Sequence, residues 1–261
     1  MEAVIDIDSE MRQIVDTIDE DRRASLGMYE ELAPVYEFLF AGGYDYDVQS
    51  DYVRKAAPNV SEFRLLEAGC GTGRLLERLS AAHPNAALDG IDLHEKMVEI
   101  ARSRLDGDDT VTLEQRDFFD VADTYEVIVG FNLLPHFDAE TLGLFFDRAA
   151  ANLTDDGALV FDYKDPRNNE NGLYDRWDAT TDEFAITGRF ITVYDDGQPH
   201  YAVSYEFEEI ASGEQYYTAE VMPINFQTPD EIERQLRNTP FDDIEIHRGV
   251  GDQSGVVIAR K

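Results

Sequence analysis

From residue 63 onward the chain alternates between two hydrophobic periods. Short apolar runs at 63–68, 87–92, 110–115, 125–131 and 157–163 predict strands, while residues 73–83, 95–105 and 140–153 carry apolar side chains three and four apart and predict helices. Met97, Ile100, Ala101 and Leu105 fall on one face of the second helix, and Leu142, Phe145, Phe146, Ala149 and Leu153 on one face of the third. Such alternation predicts an α/β fold with a parallel sheet and helices on both faces, whose ligands sit at the carboxyl ends of the strands.

The flanks read differently. Residues 8–25 place Met11, Ile14, Val15 and Ile18 at helical spacing, followed by an aromatic-rich stretch from Met28 to Phe40, a break at Gly42-Gly43 and a short helix over 48–56. After Pro166 the period changes to two. Strands at about 184–194, 200–209 and 215–223, joined by Asp195-Asp196-Gly197 and Ala211-Ser212-Gly213, predict an antiparallel β-meander inserted into the α/β domain. Thr228-Pro229-Asp230-Glu231 then carries a helix start, with a capping Thr, Pro at the first position and Glu three residues on. Two strands, at 242–248 and 255–260, close the chain. The expected division is an N-terminal helical lid or cap over 1–60, a core over 61–165 and 226–261, and the inserted β subdomain over 166–225.

Composition narrows the function classes. The 55 acidic against 22 basic residues give a formal charge of −33, spread along the chain, and only four basic residues are lysines (Lys55, Lys96, Lys164, Lys261). No basic stripe is available for nucleic acid. The balance resembles that of proteins adapted to molar salt, where self-repulsion is screened over about 3 Å, with a merely acidic cytosolic protein as the plainer alternative. The chain's unfolding midpoint is accordingly expected to rise between dilute buffer and molar KCl. A single cysteine excludes an internal disulfide framework, no Cys/His cluster has metal spacing, and no window approaches a membrane span, so a soluble, cytoplasmic protein is expected.

The candidate chemistry gathers at Leu65–Leu79. An apolar run ends in Glu67, then come Gly69, Gly71 and Gly73 with Cys70 between the first two, then an amphipathic helix. Alternate glycines let a ligand approach backbone amides at the positive end of a helix, although a purely structural strand-helix turn uses the same pattern. Asp92 ends the next strand, 19 residues beyond Gly73, where a carboxylate can accept both hydroxyls of an adenosine ribose. Glu67 would repel a pyrophosphate and favour a ligand with an ammonium and a sulfonium beside a carboxylate. Asp117 can accept from an exocyclic adenine amine and Phe118 can pack on the ring; an exposed loop acid and a core aromatic are the plainer alternatives. Cys70 reads as a small residue packed in the turn, since no base adjoins it.

With these motifs in place, Glu67-Ala68-Gly69-Cys70-Gly71-Thr72-Gly73, Gly90-Ile91-Asp92-Leu93 with Met97, Arg116-Asp117-Phe118 and Phe131-Asn132-Leu133-Leu134-Pro135-His136-Phe137, the chain resembles the class I S-adenosylmethionine-dependent methyltransferases of the small-molecule type, from Leu65 to about Asp162. The resemblance implies a Rossmann-like, seven-stranded sheet with its last strand antiparallel, and S-adenosylmethionine as cofactor. Glu67 and the glycines would hold the methionine moiety, Asp92 the ribose, and Leu93 with Met97 the adenine face. Asp117 and Phe118 would grip the adenine, with Phe131 and Asn132 beneath the sulfonium. The inserted meander is the part least typical of that family.

Methyl transfer from a sulfonium is an in-line displacement, so alignment matters most and a base only if the acceptor arrives protonated. His136, directly after the fourth strand, is the first candidate base, with a positioning or packed histidine as the alternative. Tyr163 and Asp162 end the fifth strand and are expected to face the acceptor pocket. Tyr29 and Tyr36 either close over the cofactor, bind substrate or simply pack. The reading is an enzyme methylating N or O of a small molecule, with neither nucleic acid nor membrane as partner and the meander offering a homodimer surface. Its rival is a non-catalytic module that binds S-adenosylmethionine or S-adenosylhomocysteine to regulate or dimerise.

Overall fold

The computed structural model describes residues 6–18, 22–40, 44–165, 174–250 and 255–261. The glycines at 42, 43 and 251, residues 19–21 of the first expected helix and the start of the insert at 166–173 lie outside them. The chain forms two compact units, one made of Met1–Gly43 with Asn169–Ile224 and the other of Tyr44–Asn168 with Asn225–Lys261.

The first unit opens with α1 (Ile7–Asp16), capped by Asp6, whose side chain accepts from Ser9 N. The helix stops earlier than the periodicity predicts, because the chain turns at Thr17 and Arg23–Ala24 (β1) pairs parallel with Tyr217 and Thr218. A two-residue strand has no periodicity of its own to read. Pro34 starts a 3-10 turn at Ala33–Val35, which runs into α2 (Tyr36–Leu39).

The second unit begins with α3 (Tyr46–Ala56), followed by β2 (Arg64–Ala68), α4 (Arg74–Ala82), β3 (Ala87–Asp92), α5 (Glu95–Arg104) and β4 (Val111–Gln115). Next come β5 (Tyr125–Gly130), α6 (Ala139–Asn152) and β6 (Leu153–Tyr163). Each falls within one or two residues of its expected bounds, except β6, which starts four residues early beyond an irregularity in its pairing with β5.

The insert returns to the first unit as four strands, β7 (Tyr174–Thr180), β8 (Phe184–Asp195), β9 (Gln198–Glu209) and β10 (Gln215–Pro223), in the order β1-β10-β9-β8-β7. The β8–β9 turn is the expected two-residue hairpin, with Asp196 at φ 47 and Gly197 at φ 84. The sequence pattern passed over β7, where only Trp177 and Ala179 mark an apolar face.

The chain closes in the second unit with α7 (Pro229–Leu236), β11 (Asp243–Arg248) and β12 (Gly255–Arg260); α7 has the full capping box between Thr228 and Glu231. The sheet order is β11-β12-β6-β5-β2-β3-β4, with β12 antiparallel to both neighbours and every other adjacent pair parallel. Alternation sends Leu66, Ile128, Leu159 and Phe161 to a core shared with α6 and α7, and Leu65, Val127, Val129 and Val160 to a core shared with α3 and α4. Among the described residues no helix is long and apolar enough to cross a membrane.

Candidate functional site

At the end of β2 the backbone takes three left-handed steps, at Gly69 (φ 73), Gly71 (φ 51) and Gly73 (φ 79). The amides of Gly69 and Cys70 both donate to Ile91 O, at 2.8 and 2.9 Å, which pins the turn to the end of β3. A Cβ on Gly73 would press on Ala101 and Leu105 at 3.1 Å, so this glycine lets α4 and α5 approach. A Cβ on Gly71 would meet nothing within 4 Å. That glycine serves the turn's conformation and leaves open space over its backbone. Cys70 is buried, and its thiol is pushed well above its ordinary range by burial and by the nearby Glu67 and Asp92, which removes it as a nucleophile.

Two carboxylates flank this turn in different states. Asp92 accepts from Gly71 N (3.0 Å) through Oδ2 and from His94 N (2.9 Å) through Oδ1, with His94 Nδ1 3.3 Å away. It already ties the glycine turn to the start of α5, and its remaining lone pairs are what a ribose could use. Glu67 is buried and its Oε2 has no hydrogen-bond partner among the described residues. Burial and the Asp92 charge raise its pKa well above the ordinary carboxyl range.

The ends of β5 and β6 supply the other side. Asn132 stands in the left-handed region (φ 56), and its N–H donates to Asp162 Oδ1 at 2.6 Å. The 3-10 turn Leu134–His136 follows, held by Asn225 N donating to Pro135 O (2.7 Å) and Gln227 Nε2 to Leu134 O (3.3 Å). His136 remains exposed to solvent, yet crowding and the charges of Lys164 and His94 disfavour its imidazolium and lower its pKa, against a smaller pull from Asp92. Lys164 is likewise lowered by desolvation, partly countered by Asp162.

The structure therefore brings Glu67, Gly69, Gly71, Gly73, Asp92, Asn132 and His136 to the carboxyl ends of β2, β3 and β5. Leu93 is 60% exposed beside buried Met97, an apolar shelf a flat ligand could cover. Asp117 is exposed and caps its own 3-10 turn by accepting from Phe119 N. Phe118 is buried with its ring centroid 4.8 Å from that of Phe145, and Phe131 lies in the α3/α4-side core. The expectation that Tyr163 and Asp162 face one pocket fails on strand alternation. Tyr163 points into the α6/α7-side core, where its ring covers Gly255, while Asp162 alone reaches Asn132. Tyr29 and Tyr36 belong to the other unit, their rings 5.9 Å apart. His94 and Lys164 are not among the site residues expected from the sequence; the signal was their place, each just past the end of a strand.

An unpartnered, buried carboxylate oxygen near a glycine whose backbone is open fits a ligand that presents a cationic group next to a carboxylate. Residues 66–159 match the family described as "Methyltransferase domain". That span is the methyltransferase-like domain of the chain. This domain is 35% identical over 78 residues to a malonyl-[acyl-carrier protein] O-methyltransferase from Bacillus cytotoxicus, a match covering 30% of this chain and 27% of that protein. The chain thus spans under a third of that relative's length. Among solved structures, the fold matches DesVI of Streptomyces venezuelae (TM-score 0.73, 22% identity, 87% of this chain and 97% of that one). It also matches CalS10 bound to S-adenosylmethionine, an amino pentose methyltransferase of Micromonospora echinaspora (TM-score 0.74, 20% identity, 87% and 96%). Coverage of 87% exceeds what the methyltransferase domain has outside residues 166–225, so the antiparallel insert belongs in part to the shared fold rather than being foreign to it.

Proposed function

We propose that the protein transfers a methyl group from S-adenosylmethionine to nitrogen or oxygen of a small-molecule acceptor by in-line displacement. The single observation that carries the reading is the buried Glu67 Oε2 without a partner, set beside the open Gly71 backbone. Glu67 would hold the ammonium of the methionine moiety, the glycine-turn amides its carboxylate, Asp92 the ribose and Leu93 with Met97 the adenine. The cofactor supplies a methyl group made electrophilic by its sulfonium. The chain's residues then need to align the acceptor and, for a protonated one, accept its proton as the new bond to carbon forms. His136 suits that task, because its lowered pKa keeps the imidazole neutral at neutral pH.

The similarity to an amino pentose methyltransferase supports an amino sugar as acceptor, and the similarity to a malonyl-[acyl-carrier protein] O-methyltransferase supports oxygen. A cytoplasmic setting and adaptation to high salt, which the composition supports, and a homodimer through the antiparallel insert belong to the same proposal. Calorimetry at molar KCl decides the main claim. S-adenosylmethionine and S-adenosylhomocysteine should bind and NADH should not; binding of NADH alone would overturn it. Turnover with a panel of amines, carboxylates and phenols separates enzyme from module.

A further inference from the structure

Asp162 is the second buried carboxylate of the parallel-sheet unit, 1% exposed at the end of β6. A carboxylate is seldom kept in such a place unless it holds something. One oxygen does: Oδ1 accepts the Asn132 N–H at 2.6 Å, while Oδ2 has no hydrogen-bond partner among the described residues. Asn132 is where the chain leaves β5 through a left-handed conformation that non-glycine residues seldom adopt. The turn that follows is fixed at its far end by Asn225 and Gln227, through Pro135 O and Leu134 O. At its near end, the bond to Asp162 meets the left-handed residue itself. Two anchors thus set the course of residues 132–136, which end in His136.

We propose that Asp162 is the positioning residue of the acceptor side, holding the Asn132–His136 turn in register through its bond to the Asn132 N–H. The inference rests on the transferase reading of the site. Asp162 touches neither cofactor nor acceptor and acts through Asn132. The bond is strongest to an ionised carboxylate, and burial lifts this carboxyl to about 6, against the pull of the Asn132 N–H and the Lys164 charge. Lys164 is the charged group facing it, and Lys164 in turn faces His136. On β12 its register partner is Val256, and the buried residues of α3, which packs on β6, are Gln49, Ser50 and Val53, none of them charged.

The hold is read first without turnover. In 15N-labelled protein the Asn132 amide proton should sit downfield and titrate with a midpoint near 6. In Asp162→Asn, which keeps an accepting oxygen but cannot ionise, it should stay downfield and stop titrating. An amide that does not move between about pH 5 and 8 in the wild type, or titrates unchanged in Asp162→Asn, overturns the proposal. Turnover is read next. Asp162→Ala should lower kcat by about tenfold or more with the KM for S-adenosylmethionine within about twofold. Asp162→Asn should recover most of that kcat near pH 8 and lose the acid limb of the kcat profile. Wild-type kcat in Asp162→Ala, or an acid limb that survives in Asp162→Asn, overturns it. Failure of the wild type to bind S-adenosylhomocysteine would instead sink the transferase reading, while the amide titration would still report on the turn.

Discussion

The two units of this chain treat charge in opposite ways. In the antiparallel unit, the buried polar side chains among the described residues are the hydroxyls of Thr192 and Thr218, and its carboxylates lie outside in ion pairs such as Arg12 with Glu183 and Glu209, each at 2.6 Å. In the parallel-sheet unit, Glu67, Asp162 and Asp165 are buried, and two of them keep an oxygen without a partner. The first unit also leaves buried polar atoms without a hydrogen-bond partner among the described residues, Trp177 Nε1 and Thr192 Oγ1, but these groups are neutral. The second buries carboxyl groups that its own fold leaves incomplete, and at Glu67 a cationic ligand would offset that cost. Buried carboxyl groups, rather than fold class, thus mark the unit in which the candidate site lies.

The sharpest way to break that contrast is Glu67→Gln. The substitution removes the charge but keeps the shape, so affinity for S-adenosylhomocysteine should fall by about 3 kcal/mol, roughly 100-fold, as expected for a charge-assisted hydrogen bond to a buried group. Stability should move the other way. The folded-state pKa of Glu67 is raised, so the protein binds more protons folded than unfolded, and the contribution present below the unfolded carboxyl pKa is lost as pH rises through the folded one. Glu67→Gln removes that loss, and its melting temperature should exceed the wild type's most at high pH. Binding should also release a proton, because an ammonium partner favours the ionised carboxylate. Affinity of the wild type should then climb with pH towards the raised pKa, while Glu67→Gln stays flat. A calorimetric enthalpy independent of buffer ionisation would show that Glu67 does not meet a cation.

Most of the parallel-sheet unit was legible because its signals are local. Apolar runs such as 87–92, the capping box at Thr228 and the alternate glycines each depend on a few neighbouring residues. The meander's hairpin at Asp196-Gly197 was readable for the same reason. What escaped depends on partners far along the chain. Strand β1 exists only through Tyr217 and Thr218, and β7 only through β8, with Trp177 opposite Gly188. At the site, Asp162 and Tyr163 are neighbours with equal claims in sequence, and only the strand's phase sends one to Asn132 and the other into the core.

Gly188→Ala tests the other side of the contrast. An added Cβ would run into the Trp177 ring, which packs on Phe40 and Tyr205 with centroids 6.0 and 6.1 Å away. Forcing that ring aside should cost about 1–3 kcal/mol and lower the melting temperature. Affinity for S-adenosylhomocysteine should not change, since the antiparallel unit's packing is separate from the buried charges that need a ligand. A parallel fall in affinity would show that the two units share the site's energetics.

The mildest test lies within the parallel-sheet unit itself. Thr228 caps α7 by accepting from Glu231 N at 3.3 Å, while Glu231 Oε2 accepts from Thr228 N at 2.8 Å. Thr228→Ala should cost about 1 kcal/mol of stability, the usual worth of such a cap. Thr228 follows directly on Gln227, whose side chain holds Leu134 O, so a loosened helix start could reach the turn that ends in His136. If the function is confined to Glu67, Asp92 and the Asp162 anchor, Thr228→Ala should bind S-adenosylhomocysteine as the wild type does. A change confined to kcat, with affinity intact, would mean that the Gln227 anchor matters as much to the acceptor side as the Asp162 bond.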